Sequence, residues 1–210
     1  MKIATRSLAT FAVVTLLAAA SQAAHADPVT WKIDPAHTEA GFEVRHFFSK
    51  VHGVFHDVDG TIVYDAANPT ASKIDATVKV ASVDTGNQKR DGHLQSADFF
   101  DAEKNPTLEF KSTKIVKTGK DKYKITGDLT MRGVTKPVTF DAEFLGSSAV
   151  SVEGQSWGSK AGFSATTTVN RKDWGINWNK TLDNGGVLLG DDVLVSINLE
   201  AAKKKETASN

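Results

Sequence analysis

Tyr123-Lys124-Ile125-Thr126-Gly127-Asp128-Leu129-Thr130-Met131 and, past Arg132-Gly133, Val138-Thr139-Phe140-Asp141-Ala142-Glu143-Phe144 form the stretch that decides the architecture. Apolar and polar residues alternate strictly in both halves, and a short turn signal lies between them. A period of two with one apolar face is the pattern of antiparallel strands that show one side to water. The same alternation runs through Ala40, Phe42, Val44 and His46. It returns in Ile74, Ala76, Val78 and Val80, and in Val193, Val195, Ile197 and Leu199. Turn signals separate the runs: Asp59-Gly60, Asn68-Pro69, Thr118-Gly119-Lys120-Asp121 and Asn184-Gly185-Gly186. About eight short strands in one domain predict an all-β sandwich or barrel.

One segment departs from the pattern. Asp84 to Asn105 is polar and does not alternate, with Leu94, Ala97, Phe99 and Phe100 at helical spacings. It predicts one or two short helices joining two strands, although Gly92 disfavours helix by ~1 kcal/mol relative to alanine.

The first residues read as a targeting segment. Lys2 and Arg6 precede the apolar run Leu8 to Ala20, and Ala24-His25-Ala26 supplies small residues at a cleavage site. The run is shorter than the ~20 residues a membrane-spanning helix needs. A secretory signal peptide over residues 1–26, cleaved after Ala26, is expected. The domain then covers residues 27–202. The sequence from Ala201 reads as frayed, with 203–210 as a flexible tail. No later stretch is apolar enough to span a membrane, so a soluble mature protein is expected.

The 25 basic and 25 acidic residues balance, which gives no reason to expect nucleic acid or an anionic surface as partner. No cysteine is present, which excludes disulfides, thiolate nucleophiles and zinc–cysteine sites. His46, His52 and His56 cluster in sequence with His37 upstream, but strand–turn–strand spacing does not make a ligand set, and no metal site is expected. Asp91 and His93 lie two apart and point to different sides of the helix expected there. No nucleophile–base set with usable spacing is offered, so no catalytic residue is assigned. Asn179-Lys180-Thr181 matches a glycosylation sequon by chance. Trp157, Trp174 and Trp178 fall in expected loops, where they either line an entry or simply pack.

An eight-stranded barrel is either filled by its own side chains or holds one small ligand. Phe42, Phe110, Phe140 and Phe163 share the inward rows with Ala40, Ala76, Gly127, Ala142, Ala161 and Ala165. Small residues either leave space or face large ones, and the residues alone leave both outcomes open. The inward rows carry little charge, which suits a hydrocarbon guest held at ~0.8 kcal/mol per buried CH₂.

Several ordered blocks resemble the YceI family of lipocalin-like periplasmic polyisoprenoid-binding proteins. They are Trp31-Lys32-Ile33-Asp34-Pro35-Ala36-His37-Thr38, Phe42-Glu43-Val44-Arg45-His46, Ser82 through Leu94 with Ser96 through Asp101, Pro106 through Ser112, Gly127 through Val138, Arg171 through Ile176, and Gly190 through Val193. The resemblance spans nearly all of residues 27–202. Gly92 stands where members often carry a polar side chain, and Trp174 where phenylalanine is common. The resemblance implies an extended eight-stranded antiparallel barrel with a short helical insertion, a periplasmic location, and an isoprenoid, quinone-like or fatty-acyl guest. It implies no required cofactor and is compatible with a homodimer. The residues assigned to contact the lipid are Phe42, Val44, His46, Phe99, Phe110, Leu129, Phe140, Ala142, Phe163, Ala165 and Trp174. Arg90, Asp91 and His93 are assigned to a plug or to the lipid head group, and Trp174 to narrowing one end. The expected function is lipid carriage or sequestration; the rivals are a quinone-presenting redox accessory, an enzyme acting on the lipid, and a ligand-free stress protein with a packed interior.

Overall fold

The computed structural model describes residues 27–65, 67–183 and 185–204; the expected signal peptide and the end of the tail lie outside them. Eleven strands form one sheet: β1 (Val29–Ile33), β2 (Glu39–His46), β3 (Ser49–Phe55), β4 (Val58–Tyr64), β5 (Lys73–Lys79), β6 (Val83–Asp84), β7 (Thr107–Gly119), β8 (Lys122–Met131), β9 (Val134–Val152), β10 (Gln155–Asn170) and β11 (Leu189–Lys203).

The wall nevertheless has eight staves. β1 and β2 are one run along β11, interrupted by a 3-10 turn at Pro35–His37 that the Asp34 carboxylate caps through the Ala36 amide. β4 pairs with β1 and β3 with β2, so β3–β4 is the second stave. β5 pairs with β4 and β6 with β3, so β5–β6, broken at Val80–Ser82, is the third. β7, β8, β9, β10 and β11 follow, each antiparallel to its neighbour, and β11 closes the ring on the first stave. Such closure leaves no sheet edge around the ring.

The expected eight-stranded antiparallel barrel is therefore the observed fold. The expected fraying at Ala201 is not observed. β11 continues through Lys203, opposite Trp31, and Ala201 is 0 % exposed against Trp31, Ile62 and Ala161. The lysine-rich end of the sequence hides an alanine that packs on a tryptophan.

Between β6 and β7 the chain leaves the wall as a single helix, α1 (Gln88–Gln95), and a series of turns. Asn87 caps α1 by accepting from the Arg90 amide. The Asp91 carboxylate accepts from the Thr85 amide and hydroxyl at 2.9 and 2.6 Å, and the Arg90 guanidinium donates to the Thr85 hydroxyl and carbonyl at 2.7 and 2.8 Å. These four bonds fix the helix to the end of β6 and lay Leu94, Phe99 and Phe100 across one end of the interior. At Gly92 an added Cβ meets nothing within 4 Å, so a side chain would fit there.

The 171–188 segment roofs the same end. Arg171, 4 % exposed, donates to the carbonyls of Gly190, Ile176 and Trp178 and to the Asp191 carboxylate. Burial lowers its pKa and Asp191 opposes that shift, since desolvation disfavours the charged form and an opposite charge favours it. The Asn179 side chain bonds both the amide and the carbonyl of Leu189, which ties the loop back to β11.

Candidate functional site

The inward rows enclose a lumen of about 650 Å³, within the ~300–1,000 Å³ range of small-molecule sites. Phe42, Val44 and His46 reach it from β2, and Phe110 from β7. Leu129 comes from β8, and Phe140 and Ala142 from β9. Phe163 and Ala165 come from β10, and Phe99 from the turns after α1. Ala142 and Ala165 face each other across the β9–β10 ladder, so two adjacent small side chains thin the wall at one level.

Not every small residue leaves space. The Phe110 ring lies over Gly127, where an added Cβ would sit 2.4 Å from its tip, and the Phe42 ring covers Gly53 in the same way. Ala161 is buried among Trp31, Ile62 and Ala201. The lumen is what remains after these rings are folded against the wall. Phe110 and Phe140 meet edge to face at 5.3 Å, and Phe55 bridges Phe42 and Phe100 at 5.7 and 5.6 Å.

Trp174 is not part of this wall. It is 2 % exposed inside the packed cluster of Val138, Val169 and Ile176, with its indole N–H on the Leu129 carbonyl at 3.2 Å. A narrowing of the lumen by Trp174 is thus replaced by a core role. Trp178, four residues on, lines the lumen and packs against His93 and Phe99 at 4.9 and 5.3 Å. Trp157 stands exposed on β10.

The two ends of the lumen differ in chemistry. At the α1 end Asn87, Lys89, Arg90 and His93 join His46 and Val51 in the lining. Asp91 does not, because Thr85 takes its carboxylate. His93 bonds Asp98 at 2.9 Å and has no contact with Asp91 in that bond. At the far end Tyr64, Ser72, Tyr123 and Phe144 line the wall; burial, then the neighbouring Tyr123 phenol, raises the Tyr64 pKa. The middle is hydrocarbon and aromatic. Such a site holds an apolar chain by area, with polar groups only where a head group would lie.

Sequence reasoning did not assign Tyr64 and Tyr123 as lining residues, and it left Trp178 open between lining an entry and packing. Tyr123 had a readable signal, since it begins the inward row quoted above.

The histidines do not converge. His46 faces the lumen, His52 lies 3.4 Å from Glu43, and His56 lies 3.7 Å from Asp84, both on the exposed side. Among the described residues, one acidic group of metal-site size exists, Asp34, His37 and Glu200. Lys160 places its ammonium 2.8 Å from Asp34 and 2.9 Å from Glu200. That cation does there what a metal ion would do. It holds the Asp34 carboxyl below the usual carboxylate range, and its own pKa is raised in return. Among the described residues no serine or threonine hydroxyl is bonded to a histidine ring.

Residues 31–201 match the YceI-like domain. The chain belongs to the YceI-like family. A UPF0312 protein of Pseudomonas putida is 40% identical over 205 residues, covering 93% of this chain and 98% of that protein. The Campylobacter jejuni YCEI protein superposes with a TM-score of 0.63 at 37% identity, over 77% of this chain and 90% of its own. A polyisoprenoid-binding domain from Saccharophagus degradans shares the fold at 10% identity, with a TM-score of 0.58 over 84% of this chain and 99% of that one. The YceI-like barrel here carries one described α-helix, α1, between β6 and β7, and no described helix is long and apolar enough to cross a membrane.

Proposed function

We propose that this chain is an exported lipid carrier of the bacterial envelope, which holds one long-chain amphiphile in its lumen and performs no chemistry on it. The observation that carries this reading is the apolar lumen of about 650 Å³ inside a closed wall. The guest is a polyisoprenoid, quinone-like or fatty-acyl lipid. Family membership and the polyisoprenoid-binding name of the Saccharophagus domain support that class. Export rests on the amino-terminal sequence pattern, and the protein works in the periplasm with Asp27 as its first residue. His93 acts as a support of the helical plug, held between Asp98, Phe99 and Trp178.

A second reading, presentation of a quinone to a redox partner, is favoured by Tyr64 and Tyr123. Their phenols are lumen-lining donors suited to a carbonyl head group.

Trp178 provides the readout. Titration with linear alcohols of rising length is expected to perturb its fluorescence with affinity that climbs about four-fold per CH₂, equivalent to ~0.8 kcal/mol, until the lumen is full. Affinity independent of chain length would contradict the carrier reading.

A further inference from the structure

At the α1 end of the barrel, the β2–β3 turn carries two adjacent phenylalanines into solvent. Phe48 is 101 % exposed and Phe47 38 %. Phe47 also adopts a left-handed backbone with φ 51°, a conformation that large side chains rarely occupy. Nothing in the core rewards that conformation, since neither ring belongs to a buried cluster. The two-residue loop between the paired His46 and Ser49 requires that conformation, and large apolar rings standing in water at such a loop point to a role outside the fold.

The surroundings say which role. Phe47 packs edge-on against His46 at 4.8 Å, and His46 lines the lumen. The Phe47 amide donates to the Leu188 carbonyl, and the Leu188 amide to the Lys180 carbonyl, which brings exposed Val187 alongside. Arg45 and Lys50 flank the pair, with Lys180 and Lys89 on the same end; Glu43 pairs with Lys50, and Asp183 lies in the same loop as Lys180. The Arg45 guanidinium donates to the Phe47 carbonyl at 3.2 Å, and exposed aromatics beside basic side chains are suited to the interfacial zone of an anionic bilayer.

We propose that the Phe47–Phe48 turn is a membrane-contact finger that seats the α1 end of the lumen on an anionic lipid surface. Long-chain lipids scarcely leave a bilayer through water. A contact at the mouth lets the guest pass between membrane and lumen without crossing bulk solvent. The proposal rests on the carrier reading, yet flotation on vesicles reads it without reference to what fills the lumen.

The experiment is flotation of the purified protein with phosphatidylcholine vesicles, with and without phosphatidylglycerol. Wild type is expected to float with the anionic vesicles. Phe47→Asn/Phe48→Ser is expected to partition about ten-fold less or weaker, while melting normally and titrating at Trp178 as wild type does. Asn suits the left-handed turn, so the fold is protected. Arg45→Gln/Lys50→Gln is expected to lose the preference for anionic vesicles. Three results would overturn the proposal: wild type that stays with the buffer, a double phenylalanine variant that floats as well as wild type, or a variant whose lipid-free sedimentation shows that the patch joins two copies of the chain. Loss of the Trp178 response in wild type, with flotation intact, would instead sink the carrier reading alone.

Discussion

Ala142→Phe and Ala165→Phe are each expected to abolish lipid occupancy while leaving the barrel folded. The two alanines are partners across the β9–β10 ladder and both face the lumen. Phe140, Phe144 and Phe163 already project from neighbouring positions on the same inward face. A further ring at either alanine enters the space the guest occupies. Because that space holds no protein side chain, the usual overpacking penalty of ~1–3 kcal/mol in a filled core does not apply. Thermal melting and solvent extraction of the purified variants provide the paired measurement. A large fall in melting temperature, or lipid content equal to wild type in both variants, would show that the interior at this level is not the binding space.

The second large effect is on stability. Arg171→Met is expected to destabilise the protein by about 3 kcal/mol or more, the scale for stranding buried polar partners. The three carbonyls of Gly190, Ile176 and Trp178 would lose their shared donor, while Asp191 keeps Lys172 at 2.8 Å. For a domain of this length the melting temperature should fall by roughly 6–12 °C. Arg171→Lys should recover little, since one ammonium cannot reproduce a planar fork that serves four acceptors. Differential scanning calorimetry decides the matter. A change of only a degree or two would mean that the 171–188 roof is held by Trp174 and Asn179 and not by this clasp.

The barrel was legible because its signal is local. Alternation in β2, β5, β8, β9 and β11 names the inward row directly, and all the phenylalanines and alanines assigned to guest contact on those strands do face the lumen. What was not legible depends on rotamers and on loops without a period. Gly127 was left open between empty space and a place facing a large residue; the Phe110 ring lies over it, and no pattern in sequence tells a ring folded to the wall from one that points across the barrel. Trp174 and Trp178 sit four residues apart in one irregular segment, so only the path of the chain decides which is core and which is lining. Arg171 stands beside Lys172 and Asp173, with no periodic signal to mark it as buried. Its burial follows from the carbonyls the loop turns inward. The eight staves were legible, but the breaks within three of them were not. Short breaks at Pro35–His37, His56–Asp57 and Val80–Ser82 make eleven segments from a wall of eight.

The central claim is that the lumen carries a lipid in the cell. Native mass spectrometry of protein isolated from its own envelope tests it most directly. The account predicts a non-covalent adduct on the chain beginning at Asp27. That adduct should be released by organic solvent as a single long-chain lipid of unaltered structure, and should be missing from Ala165→Phe. A bare polypeptide mass from gently isolated wild type, or a chemically modified lipid accumulating with time, would contradict it.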